Sequence, residues 1–178
     1  MAVIKEEDLR QAGIKDVAVR MMTAARTAPK AKGRDNLEIL YIDGEEMTLM
    51  TQKMEEISQR MDIPFFTRDA GNVKDSSGMV LIGTKIKTGG LKYCGLCGFK
   101  NCAEKEQYPD IPCIFNTNDL GIAVGSAVAT AADHRVDNRI MYTAGMAALE
   151  LKIFPAEVKV VFGIPLSATG KSPFFDRK

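Results

Sequence analysis

Residues 116–133 read NTNDLGIAVGSAVATAAD. Asn116, Thr117, Asn118 and Asp119 open the run, and their short polar side chains are of the types that bond free N–H groups at a helix start. From Leu120 to Ala132 the residues are apolar or small, so the run predicts a long helix capped by that quartet. Gly121, Ala123, Gly125, Ser126, Ala127 and Ala129 carry little side chain and let neighbouring backbones come close. A buried central helix is therefore expected, with the other elements arranged around it.

Upstream, MVLIGTKI at 79–86 and LEILYI at 37–42 are short, apolar and rich in branched residues, the composition of buried strands. Between them Met47, Met50, Met54, Ile57 and Met61 recur at steps of three and four, one apolar helix stripe whose simplest role is a core face. A first helix is expected from about Lys5 to Thr27, acidic at its start and with Arg20 and Arg26 late; Pro29 and Gly33 end it. Downstream, a helix is expected from about Asn138 to Leu151 ahead of Pro155, and VKVVFGIPL from Val158 reads as a last strand. No repeat, low-complexity tract or linker divides the chain. The expected class is α+β, a single domain over 1–178 with a cysteine-rich insertion over 88–115.

With 178 residues, 46% apolar and 26% charged, the composition is that of a soluble globular protein with a sizeable core. The net charge of +1 lacks the basic excess of a general nucleic-acid binder, so no nucleic-acid partner is expected. No run of about eighteen apolar residues occurs, and no membrane span is expected. MAVIKEEDLRQ is charged where a secretion signal is apolar, which points to a cytoplasmic protein.

All four cysteines fall in one stretch, spaced Cys94-x2-Cys97-x4-Cys102-x10-Cys113. In a reducing compartment such clustering points to metal before disulfides, and a core of this size needs no disulfide staple. Two thiolates separated by two residues can grip one centre from a tight turn. Gly95 and Gly98 permit positive φ there and leave N–H groups free to face sulfur. Four thiolates suit a 4Fe–4S cluster or a structural zinc. Zinc ribbons usually offer two C-x2-C knuckles where this chain has one; three ligands from one loop and a distant fourth is the cubane pattern. Lys87, Lys92, Lys100 and Lys105 lie around the loop and could offset the negative charge of a cluster, although loop lysines are usually just solvated.

CGLCGFKNCAE resembles the cubane-binding segment of corrinoid iron–sulfur proteins and of a subunit of bacterial membrane electron-transport complexes, with a shorter spacing to the fourth cysteine. Through CGLCGFKNC, DLGIAVGSAVATAADHRVDNRIMYTAG and GIPLSATGKSPFFDR the chain also resembles, over nearly its full length, a family of uncharacterised prokaryotic proteins described as containing a ferredoxin domain. That resemblance implies a cluster held by Cys94, Cys97, Cys102 and Cys113 and names no substrate.

A more distant resemblance is to the flavin-dependent nitroreductase fold. It rests on MMTAARTAPKAKGRDNLEILYI, GIAVGSAVATAAD and VVFGIPL, and it implies a homodimer with FMN at the interface. On that likeness Arg26, Lys30, Lys32 and Arg34 around the Ala-Pro loop, and Lys171 and Arg177 in the C-terminal tail, are candidate partners of the flavin phosphate. The arginine-rich phosphate motif usual near the N-terminus of that family is absent.

SATGKS ends like a phosphate-binding P-loop, but Pro165 stands where that loop needs glycine and no helix can follow Ser172 in so few residues. In DHRVDNR, at 133–139, His134 is the one histidine and a candidate proton carrier. Asp137 and Arg139 join it as candidates, and Asp133, Arg135, Asp137, Asn138 and Arg139 could orient a bound ligand; Tyr142 and Ser167 are further candidates. The competing account is an ordinary helix C-terminus and turn. The leading expectation is an iron–sulfur redox protein on a nitroreductase-like scaffold, passing electrons to a protein partner or a small-molecule redox substrate, with FMN as a possible second cofactor. The rivals are a zinc-stabilised binding or assembly module and an FMN oxidoreductase whose cysteine loop is structural.

Overall fold

The computed structural model describes residues 3–175; Arg177 lies outside them. Helix α1 spans Glu6–Thr27, strand β1 Leu37–Ile42, helices α2 and α3 Glu45–Met61 and Pro64–Lys74, and strand β2 Gly78–Lys85. After a long irregular segment come the short helix α4 (Cys102–Glu106), helix α5 (Ile114–Asp133), strand β3 (Asp137–Asn138), helix α6 (Tyr142–Glu150) and strand β4 (Val158–Ser167).

The strands form one antiparallel sheet in the order β1-β2-β4-β3. Strand β2 is buried on both faces, which explains its unbroken apolar run. Met79 and Leu81 point into a core shared with Met50, Met54, Ala70 and Ala144 of α2, α3 and α6. Val80 and Ile82 point the other way, toward Ile14, Met21, Leu120 and Ala127 of α1 and α5. Each of the large side chains among these contributes roughly 1.5–3 kcal/mol by leaving water. The molecule is an α+β sandwich with helices on both faces of the sheet, as expected.

The methionine stripe is a core face at Met47, Met50, Met54 and Ile57, while Met61, the last residue of α2, is exposed. Helix α3 has no counterpart in the expectations from sequence; it opens on Pro64, whose missing N–H costs nothing in a first turn. Helix α6 begins at Tyr142 rather than near Asn138, because Asp137 and Asn138 pair with Ser167 and Leu166 as β3. That ladder is short for a local reason. Opposite Arg139 stands Pro165, which has no N–H to donate, and pairing resumes only at Met141 with Gly163.

Helix α6 lies directly on β4: a β-carbon built on Gly145 would overlap the carbonyl of Val161. Helix α5 starts two residues before the polar quartet, with Cys113 as its N-cap, so Asn116 to Asp119 lie inside the helix instead of capping it. The small residues of α5 also divide differently from expectation. Ala123, Ala127 and Ala131 face the core and let α1 close in until Ser126 Oγ donates to Ala24 O at 3.2 Å. Gly121, Gly125 and Ala129 are exposed, and β-carbons on the two glycines would meet nothing within 4 Å. No described helix is long and apolar enough to cross a membrane.

Candidate functional site

The segment between β2 and α5 carries all four cysteines. Gly95 (φ 114°) and Gly98 (φ 87°) close the turn around Cys97, with Gly98 N–H donating to Gly95 O at 2.9 Å. Both φ values lie where L side chains rarely sit, so this backbone calls for glycine at both positions. Asn101 caps α4 by accepting the N–H of Glu104 at 2.9 Å, and Glu104 reaches back to the N–H of Lys100 at 2.6 Å. This reciprocal cap holds the turn on which Cys102 sits. Phe99 stacks on Tyr108 at 5.1 Å and pins the outer flank.

The four thiols are free and line one pocket, together with Thr88, Gly89, Leu91, Lys105 and Phe115. Cys113 is buried at the start of α5, and its side chain makes no capping bond. The positive end of a twenty-residue helix therefore lies beside its sulfur, an arrangement that favours negative charge. Cys102 Sγ lies 3.9 Å from Leu91 O. Among the described residues no three or more His, Cys, Asp or Glu side chains are grouped closely enough to hold a single metal ion. The donor set itself, four thiols around one pocket with glycine turns and a helix N-terminus, fits a four-thiolate group.

Around this pocket the chain is tied by the residues that sequence alone marked as helix caps. Asn116 Oδ1 accepts the N–H of Lys87 at 3.0 Å, fixing the exit from β2. Asp119 accepts the N–H of Ala31 with both oxygens, at 3.0 and 3.1 Å. Lys32 Nζ donates to Gly90 O at 3.3 Å and Arg34 Nη1 to Gly89 O at 3.4 Å, so the Ala-Pro loop clamps the start of the cysteine segment. Between the two loops opens a second pocket lined by Lys32, Arg34, Asn36 and Lys87; it shares Thr88, Gly89, Leu91 and Phe115 with the thiol pocket.

Arg26 and Lys30 are occupied inside the fold. Arg26 holds Asp35 at 2.7 Å and Leu37 O at 3.0 Å. The Lys30 side chain is 5% exposed and donates to Ala25 O at 2.9 Å and to Arg26 O, the last free carbonyls of α1. Burial alone would raise the pKa of Asp35; the Arg26 hydrogen bond, the Leu37 N–H and the charges of Arg26 and Lys30 outweigh it and hold the carboxyl below its ordinary value.

Lys171 and the 133–139 run lie at the other end of the sheet. Lys85 pairs with Val158 and Gly78 with Leu166, so the cysteine segment and the residues past Ser167 are separated by the length of β2, roughly 25 Å. His134 is exposed, and its backbone closes the end of α5, roughly 30 Å from Cys113 along the helix. Asp137 is an exposed β3 residue. Arg139 donates to Phe174 O at 3.4 Å and stacks over Phe175. Tyr142 packs with Phe65 and Phe66, and Ser167 is buried beside Thr169.

The fold is that of the flavin nitroreductases. A nitroreductase with bound FMN from Desulfitobacterium hafniense DCB-2 superposes with a TM-score of 0.61 at 12% identity, covering 94% of this chain and 92% of that one. Nitroreductase A from Vibrio parahaemolyticus RIMD 2210633 gives 0.56 at 11% identity over 89% of this chain, which spans 60% of that protein. An uncharacterised protein of Archaeoglobus fulgidus is 45% identical over 98% of this chain and 97% of its own length. The chain belongs to the family of uncharacterised proteins containing a ferredoxin domain, whose model matches residues 110–177. The matched segment includes Cys113 and begins after Cys94, Cys97 and Cys102.

Proposed function

We propose that the protein is a cytoplasmic iron–sulfur redox carrier in which Cys94, Cys97, Cys102 and Cys113 hold a 4Fe–4S cluster. The observation that carries this reading is the convergence of every cysteine in the chain on one pocket. Such a group supplies one-electron transfer when bound. The chain's own part is to hold the four sulfurs, to close the turn around Cys97 through Gly95 and Gly98, and to set the helix α5 N-terminus against Cys113. The family's ferredoxin description supports the reading.

A flavin is a second element of the proposal. The FMN-bound fold neighbour supports it, and so does the pocket lined by Lys32, Arg34 and Lys87 that shares a wall with the thiol pocket. Cations of this kind suit phosphate oxygens. The uncharged exposed face of α5, with Ile114, Gly121, Ile122, Gly125 and Ala129, supports a homodimer. Electrons would pass to a protein partner or a small-molecule redox substrate.

The test is iron, acid-labile sulfide and flavin analysis, with a visible spectrum, on protein purified without oxygen. Brown protein with iron and sulfide that bleaches on reduction is expected. Colourless protein with stoichiometric zinc would reject the redox reading in favour of a structural metal module, and yellow FMN-loaded protein without iron would leave a flavoenzyme with a structural loop.

A further inference from the structure

Lys105 is 3% exposed, although lysine is almost never buried without a partner. It stands on α4, one turn past Cys102, and lines both the thiol pocket and the cleft beyond it under Arg34 and Lys87. The nearby carboxylates are engaged elsewhere. Glu104 accepts the N–H of Lys100, and Glu106 accepts the Thr88 hydroxyl at 2.7 Å. Among the described residues the Lys105 ammonium makes no hydrogen bond or ion pair, and it is not among the side-chain atoms fully cut off from solvent. Lys87, Lys92 and Lys100 are exposed and do not line the thiol pocket.

We propose that Lys105 is the counter-charge for the anionic group held by the four cysteines, an inference that rests on the cluster reading above. A lysine drawn this far out of water is favoured where an anion faces its ammonium. Four thiolates around a cluster would bring that anion to the pocket Lys105 already lines. Lys105 then acts by tuning: it favours the more negative, reduced form and raises the potential.

The test uses the full chain as wild type, Lys105→Met and Lys105→Arg, reconstituted with iron and sulfide without oxygen. Each is titrated with dithionite, which delivers one electron per cluster with no bond broken and no proton required. Lys105→Met is expected to keep its visible absorption and to be harder to reduce by about tenfold or more, which is 59 mV for one electron. Lys105→Arg is expected to regain the wild-type potential. Melting temperatures give a second readout that a merely structural lysine would not produce. Lys105→Met should leave the melting temperature of the metal-free chain unchanged or higher, since no partner of the ammonium is lost, and lower that of the loaded chain.

An unchanged potential in Lys105→Met, or an equal loss of stability with and without metal, overturns the proposal while the cluster reading stands. Wild type that takes up no iron overturns both. Lys105→Gln carries the same two measurements should Lys105→Met aggregate.

Discussion

Asp119 and Ala31 are 88 residues apart in sequence, yet the Asp119 carboxylate receives the Ala31 N–H with both oxygens at 3.0 and 3.1 Å. This bond fastens the Ala-Pro loop to α5 at the rim of the pocket that adjoins the thiols. It uses an acidic residue at 6% exposure, so the acceptor cannot be replaced freely by water.

Asp119→Ala removes that acceptor from a part-buried N–H and is expected to destabilise the fold by about 1–3 kcal/mol. Asp119→Asn keeps an acceptor oxygen and should retain most of the stability. Urea unfolding of the two variants beside wild type measures the difference.

Cys113→Ser should separate folding from metal retention. Cys113 occupies the N-cap of α5 and makes no capping bond, and serine is a preferred N-cap. The variant is expected to melt no lower than the metal-free wild type, while holding less iron after anaerobic reconstitution. Equal iron in the two proteins would remove Cys113 from the ligand set.

Gly145→Ala sets a methyl group against the Val161 carbonyl, backbone against which it has no freedom to turn. A loss of about 3 kcal/mol or more, or insoluble protein, is expected, because α6 can only accommodate the methyl by lifting off β4.

Tyr41 carries a buried hydroxyl without a hydrogen-bond partner among the described residues. Burial, followed by the charge of Asp43, pushes its pKa up to about 12 from 10.0. The folded state thus holds this proton more tightly than the unfolded chain. The corresponding stability is complete below pH 10 and is lost as pH rises toward 12. Tyr41→Phe should be neutral or stabilising at pH 7, and thermal melts above pH 10 should show a shallower decline than wild type.

Asp35 gives the opposite slope. Its folded-state pKa lies below the ordinary 3.8, so its contribution is present above that value and disappears as pH falls through the lower one. Wild type is expected to lose stability on acidification below about pH 4 more steeply than Asp35→Asn, as measured by acid titration of the unfolding transition.

Periodicity carried the layers: the methionine stripe and the two apolar strands stand where their spacing put them, because burial on one or both faces leaves a direct trace in the pattern. The polar groups were less legible. Asn116 and Asp119 are the residue types that cap helices, and the same short acceptors serve equally well to bind the N–H groups of Lys87 and Ala31, which are distant in sequence. Lys30 looks like a loop cation until its ammonium is seen on the carbonyls ending α1. Lys105 is one of four lysines around the cysteines, and nothing in their order distinguishes the buried one. The spacing of the cysteines announced a shared destination; the sharing of a wall with a basic pocket depends on the Ala-Pro loop, far away in the chain.

Among the described residues the sheet contains no hairpin, and β4, one of its two inner strands, is the last of the four in the chain. While a ribosome is still making this protein, β2 emerges with only β1 to pair with, and one of its edges stays bare until residues 158–167 have been added. Strand closure between such distant segments is slow and leaves sticky edges open to other chains. A nascent copy therefore carries an unpaired inner edge through the whole synthesis of α5 and α6, and only the arrival of β4 seals it.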